Sequence, residues 1–341
     1  MRLLGYRLYR YRLPLAGPPA PGGKSLPVRE GLLIRLEEDG ACGWGEAAPL
    51  PGFSRETLEE AARDLRALAA GGDPAHACSS ARFAFELARL NLESSSSGRP
   101  LHALLSPHPA EEVRLCGLLE GPLEAVLSGA EGMREAGYAA VKLKVGRADP
   151  EEEAALVGEL SALLGGVQLR LDANRAWSFG EALRFCRAVR GVPIEYLEEP
   201  LFEAGDLPLL AEETGVPLAL DETLREIEPE DLARCRHVRA VVLKPTLLGG
   251  LSRSLAFARE ARRIGAVAVA SSSYESGIGT LGLLTLAAAL GEVPAGLDTY
   301  RALGEDVLED PLPLAGPRVD VAALLGEEHA VRVDPLEEVA A

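Results

Sequence analysis

Hydrophobic and polar positions follow two rhythms along the chain. Over residues 2–13, and again through "EGLLIRLEEDGACGWGEAAPL" at 30–50, apolar side chains alternate with polar ones, the period of half-buried strands. The Glu-Asp-Gly at 38–40 marks the turn between two antiparallel strands. Two helical stretches follow. One starts after Ser54 with Glu56, Glu59 and Glu60 in its first turn, and the other runs from Ser79 to Asn91, ahead of the polar loop "ESSSSGRP". Residues 1–100 therefore predict an α+β unit with its own core.

From about residue 110 the rhythm changes to short apolar runs separated by amphipathic segments. The runs are 113–119, 139–144, 167–172, 194–199, 217–221, 240–245, 266–273 and 295–299. Ser178 opens the helical "FGEALRFCRAVRG", and Gly249-Gly250 precede "LSRSLAFAREARRIG". Eight β units with helices between them predict a (β/α) barrel over 110–310, with 311–341 as an extension able to pack back on the first unit. An open doubly wound sheet would carry a glycine-rich turn after its first strand, and no GxGxxG follows "VRLCGLL".

The 341 residues are 47% hydrophobic, enough for a core of this size. The net charge of -17 excludes nucleic acid and anionic membrane surfaces as partners, since phosphate binding needs a basic patch. An anionic substrate must then find its cations locally. Five scattered cysteines (42, 78, 116, 186 and 235) form no CxxC pair, so neither a disulfide framework nor a structural zinc is indicated. They read as small buried hydrophobes in a reducing compartment. Arginines interrupt "MRLLGYRLYRYRLPL", which spoils a signal peptide and a membrane span, and the expected location is the cytoplasm.

Chemistry enters with the polar residue that closes each apolar run. Lys144, Asp172, Glu198, Asp221, Lys244 and Ser271 recur at intervals of one βα unit, which brings all six to the C-terminal rim of the barrel. Three carboxylates in one mouth repel one another unless a cation sits among them. The oxygen-only donor set of Asp172, Glu198 and Asp221 indicates Mg²⁺, with Mn²⁺ able to substitute. Of 35 cationic side chains only four are lysine: Lys142, Lys144, Lys244 and Lys24, the last in a Gly/Pro-rich stretch. Arginine stays charged at any accessible pH, whereas a crowded lysine can release and take up a proton. Lys142 and Lys144 share the inward face of one strand, where two like charges depress each other's pKa. Lys144 is nearer the mouth and reads as a base, and Lys244 comes from the far side of the ring. Two amines beside a metal-held carboxylate suit abstraction of its α-proton to give an enediolate. Arg170 shares the inward face with Asp172 and pairs either with substrate or with a structural acid. Asn174 contacts substrate or caps a turn. Ser271 and Ser272, leading into "YESGIG", either bind a second substrate carboxylate or only form a turn. Glu222, Asp298 and the five histidines read as structural.

"VKLK", "LRLDANRAW", "LEEP", "LALDE", "VVLKPTLLGG" and "SSSYESGIG", in that order, resemble the muconate-lactonizing branch of the enolase superfamily. Within it, "GWGEAAPLPGFSRET" and "RLDANRAWS" resemble the o-succinylbenzoate synthase family. The resemblance implies a modified (β/α)7β barrel of the TIM type under an N-terminal α+β capping domain. It also implies Asp172, Glu198 and Asp221 as Mg²⁺ ligands, Lys144 as general base, Lys244 as the cation opposite, and Lys142 as a group that tunes Lys144 and meets the substrate carboxylate. The implied reaction is syn dehydration of a small anionic carboxylate, 2-succinyl-6-hydroxy-2,4-cyclohexadiene-1-carboxylate. A homo-oligomer is compatible with the sequence. Dipeptide epimerases carry Asp-x-Asp at the end of the eighth strand, and "GLDTY" has one Asp without its partner. N-succinylamino acid racemase and muconate cycloisomerase share the same metal and lysines, and a barrel that binds an anionic metabolite without turnover is the rival from a different class. A metal-dependence assay separates the classes.

Overall fold

The computed structural model describes residues 5–15, 26–334 and 336–339. Residues 2–4 of the expected first strand, and Lys24, lie outside the described residues. Strands β1 (Gly5–Pro14), β2 (Val28–Glu38) and β3 (Ala41–Ala47) form an antiparallel meander. Its tight turn places Asp39 and Gly40 at φ 48° and 87°, the left-handed pair that matches strand twist. A two-residue strand near the C-terminus, Glu337–Glu338, adds to the outer edge of β1.

Alternation gives this sheet two apolar faces. Leu8, Leu32, Ile34 and Leu36 pack against α1 (Leu58–Ala69) and α2 (Ser79–Ser97), whereas Tyr9, Tyr11, Leu13 and Leu33 join the main core. Helix α1 begins later than Ser54, because Thr57 and Glu60 form a reciprocal capping box and Ser54 instead accepts the Leu50 N–H at 2.8 Å. The serine run expected as a loop is the end of α2. Ser96 and Ser97 return their hydroxyls to the Glu93 carbonyl, and the helix stops only at Gly98, φ 67°.

After α3 (Leu101–Leu105), the expected strand 113–119 is two strands. β4 (Glu112–Arg114) pairs antiparallel with Arg318–Asp320, and β5 (Cys116–Leu119) starts the barrel. The chain continues through α4 (Leu123–Glu135), β6 (Ala140–Lys144), α5 (Pro150–Leu164), β7 (Gln168–Asp172), α6 (Phe179–Ala188), β8 (Tyr196–Glu198), α7 (Leu207–Thr214), β9 (Leu218–Leu220) and β10 (Val238–Leu243). It goes on through α8 (Pro245–Leu248), α9 (Leu251–Arg263), β11 (Val267–Ala270) and α10 (Gly277–Leu290). Ser178 caps α6 with Glu181 as its box partner. Strands β5 to β11 form one parallel sheet in sequence order.

The expected eighth strand, 295–299, shrinks to Ala295 and Gly296. These two residues close the ring: Cys116 N–H donates to the Ala295 carbonyl at 2.8 Å, and Gly296 N–H donates to the Ala270 carbonyl at 2.9 Å. The chain then turns into a short 3₁₀ segment, Asp298–Ala302. Helix α10 is apolar on all sides because it is enclosed, with β3 of the capping unit on one flank and the barrel on the other. No helix among the described residues is long and apolar enough to cross a membrane.

Candidate active site

Six of the predicted site residues stand at or one step beyond the strand ends. Lys144, Asp172 and Glu198 are the last residues of β6, β7 and β8, and their neighbours in register are Lys142, Arg170 and Tyr196 two residues below. Asp221, Lys244 and Ser271 follow β9, β10 and β11 by one residue. Asp172 and Glu198 are fully buried, Asp221 is 3% exposed and Lys244 7%.

The three carboxylates and three lysines converge. Lys142 Nζ lies 2.7 Å from Asp172 Oδ2 and 2.8 Å from Glu198 Oε2. Lys144 Nζ donates to Asp172 Oδ2 and to Asn174 Oδ1, both at 2.7 Å. Lys244 Nζ donates to Asp221 Oδ2 and sits 5.2 Å from the centre of the Phe53 ring. Among the described residues no group of three or more His, Cys, Asp or Glu side chains is arranged as a ready metal cluster. All three carboxylates are paired with lysine ammonium groups instead.

Electrostatics are severe in so dry a place. Burial, then repulsion from Asp172, pushes the Glu198 carboxyl up to about 8, despite Lys142. Burial also works against ionised Asp172, but Lys142, Lys144 and Lys244 outweigh it and hold its carboxyl far below the usual range. For Lys142, burial favours the neutral amine, yet Asp172 and Glu198 dominate and its pKa stands well above the ordinary lysine value. The expectation that Lys142 is depressed by Lys144 is thus corrected: two touching carboxylates outweigh one neighbouring ammonium. Glu222 stands beside Asp221 with Oε2 buried and without a partner, and burial followed by Asp221 pushes its carboxyl up to about 7.

A pocket of about 50 Å³ opens on this cluster, lined by Lys144, Asn174, Lys244, Ser272, Ser273 and Tyr274 from the barrel and by Leu50 and Phe53 from the capping unit. Ser272 Oγ is 2.6 Å from Thr299 Oγ1, and Ser271 Oγ contacts the Gly296 carbonyl at 3.3 Å, beside rather than on the pocket lining. Ser273 Oγ is buried with no partner. Arg170 is not brought to the mouth. Its Nε reaches Glu195 Oε2 at 2.6 Å and its NH1 the Pro294 carbonyl at 2.7 Å, both at the opposite end of the barrel, so its partner is the structural acid. Strand alternation assigned its face correctly but not its depth. Asp298 accepts the Leu118 N–H at 3.0 Å, a structural bond. A much larger crevice runs between α2 and α9, but none of the strand-end residues line it.

Two contributors are not singled out by the hydrophobic pattern or by the strand-end spacing. Phe53 covers Lys244 from a turn of the capping unit. Arg29, 1% exposed, donates to the carbonyls of Ala48, Pro49 and Tyr274, and so ties the cap's turn to the barrel loop that forms the other side of the pocket.

Known proteins share the family and the fold of this chain. Residues 3–92 match the family described as MenC, N-terminal domain, and residues 125–327 match the enolase C-terminal domain-like family. The chain is similar to o-succinylbenzoate synthase of Vibrio cholerae serotype O1, 36% identical over 90% of this chain and 92% of that one. It is likewise similar to that of Klebsiella pneumoniae, 33% identical over 93% and 98%. In fold it is similar to a dipeptide epimerase from Cytophaga hutchinsonii solved with Mg and a dipeptide, with TM-score 0.85 and 20% identity over 99% of both chains. It also resembles the L-Ala-D/L-Glu epimerase of Bacillus subtilis, with TM-score 0.81 and 23% identity over 93% and 96%.

Proposed function

Because the chain belongs to the o-succinylbenzoate synthase family of the enolase superfamily, we propose that it dehydrates 2-succinyl-6-hydroxy-2,4-cyclohexadiene-1-carboxylate to o-succinylbenzoate. The observation that carries this reading is that Lys144 and Lys244 line one pocket above three buried carboxylates. Asp172, Glu198 and Asp221 are the side chains that would hold a divalent cation. Their fit to Mg²⁺ rests on an all-oxygen donor set and on Glu198, a carboxyl whose crowding a cation relieves. Bound there, Mg²⁺ supplies positive charge that offsets the protein carboxylates and that of the substrate.

Lys144 acts as the base. Its amine takes the proton from the ring carbon bearing the carboxylate, the C–H electron pair moving onto the carboxylate as an enediolate, and that pair then returns to form the ring double bond as the C–O bond to the hydroxyl breaks. The same amine returns the proton to the departing hydroxyl, so water leaves on the face from which the proton was taken. Lys244 stays protonated and faces the negative charge that develops on the substrate carboxylate. Lys142 neutralises Asp172 and Glu198, and Asn174 orients Lys144. Ser272 and Ser273 offer hydroxyls to the second carboxylate, whereas Arg170 supports the barrel floor.

The test is to incubate the purified protein with this substrate and follow the aromatic product, with N-succinylamino acid racemisation measured in parallel. Product in Mg²⁺ and none in EDTA is expected. Racemisation without dehydration would overturn the assignment.

A further inference from the structure

The sequence Leu197-Glu198-Glu199-Pro200 puts two glutamates side by side at the end of β8, and only Glu198 reaches Lys142. Glu199 is equally buried and adopts φ 38°, the left-handed region that a non-glycine residue enters only under constraint. Its carboxylate is filled by four donors. Oε1 accepts the backbone N–H of Asp221 at 2.9 Å and of Thr223 at 2.7 Å. Oε2 accepts Thr223 Oγ1 at 3.0 Å and Arg175 Nε at 3.1 Å.

These donors come from two other strand ends. Asp221 and Thr223 form the turn after β9, and Arg175 belongs to the turn after β7, just beyond Asp172. Arg175 returns its own N–H to the Glu199 carbonyl at 2.7 Å and extends NH2 to Thr223 Oγ1 at 2.9 Å. Asn174 and Arg175 also hold left-handed φ values of 44° and 59°. Strained backbone at the ends of β7 and β8 is thus tied, through one carboxylate, to the backbone of Asp221. An acid present only to neutralise Arg175 would not need to reach the Asp221 amide.

We propose that Glu199 is a positioning residue that fixes the backbone of Asp221 relative to Glu198, so that the two carboxylates converge on one divalent cation. The proposal rests on the metal-binding reading given above. Outer groups that orient ligands in this way typically change metal affinity by about 10- to 100-fold when removed.

Positioning and simple charge pairing make opposite forecasts for two conservative variants. Glu199→Gln keeps a carbonyl oxygen at full reach for the Asp221 and Thr223 amides but loses the charge that pairs with Arg175. Glu199→Asp keeps the charge but is one methylene too short for those amides. The experiment measures Mg²⁺ and Mn²⁺ dissociation constants by calorimetry on the full chain, with melting temperatures in EDTA as the record of folding. The expected result is weakening of about tenfold or more in Glu199→Asp, with Glu199→Gln staying closer to wild type. Retained affinity in Glu199→Asp with loss in Glu199→Gln, or unchanged affinity in both, would overturn the proposal. A wild-type protein that binds neither ion would instead overturn the metal-binding reading itself.

Discussion

At the level of single residues, the choice of lysine over arginine carries most of the functional information. Lys144 and Lys244 were legible because each ends an apolar run at the interval of one βα unit. The paired charges were legible only as types. The sequence places Lys142 beside Lys144 but does not tell which carboxylates touch it, and those contacts reverse the expected direction of its pKa. For Lys244, scaffold and catalytic roles separate in kinetics. Lys244→Ala should lower kcat by about 10²- to 10³-fold with little change in KM, and Lys244→Arg should recover part of the loss, because the role needs charge without proton release. An unchanged kcat with a lowered melting temperature would assign Lys244 to the scaffold. A second forecast concerns pH. Glu198 and Glu222 titrate higher folded than unfolded, so the stability they lend the metal-free protein is complete below the ordinary glutamate value and lost as pH rises toward about 8. A cation at the site favours the ionised forms. The gap between melting temperatures in Mg²⁺ and in EDTA should therefore widen from pH 5 to pH 8, and a constant gap would contradict it.

Strong periodicity marks an element, and local chemistry overrides weaker patterns. The serines after Asn91 looked like a loop, yet hydroxyls that bond back to the preceding turn let α2 continue to Ser97. The eighth strand was expected at five residues, but a ring needs only Ala295 and Gly296 to close on both neighbours. Arg170 shows the limit of alternation, which gives the face of a strand but not the layer. The glycines of "CGWGEA" on β3 have a packing role that alternation alone does not show. A Cβ at Gly45 would lie 1.9 Å from the Ala84 carbonyl oxygen, and one at Gly43 2.2 Å from that of Ala88, so α2 rests directly on the backbone of the strand. Gly45→Ala should cost roughly 1–3 kcal/mol through overpacking, read as a lower melting temperature. An unchanged melt would mean that α2 can move away without loss.

For the whole molecule, the pocket is shared by two units, and the sequence showed the units without showing the joint. Arg29 forms part of that joint. It is a buried guanidinium bonded to backbone carbonyls of the cap's turn at 48–49 and of the barrel loop at 274. Lysine has three donors on one nitrogen and cannot span these directions. Arg29→Lys should lower kcat/KM by about 10- to 100-fold through misplacement of Phe53 and Tyr274, and kinetics close to wild type would show that the two units hold their relation without it. In the proposed reaction, turnover depends on one proton carried by one amine. Lys144→Arg preserves charge at the mouth but cannot accept that proton. Its turnover of 2-succinyl-6-hydroxy-2,4-cyclohexadiene-1-carboxylate, measured beside circular dichroism and Mg²⁺ affinity, is the most direct test. Abolished turnover with fold and metal affinity retained is the predicted result, and near-normal turnover would contradict the account.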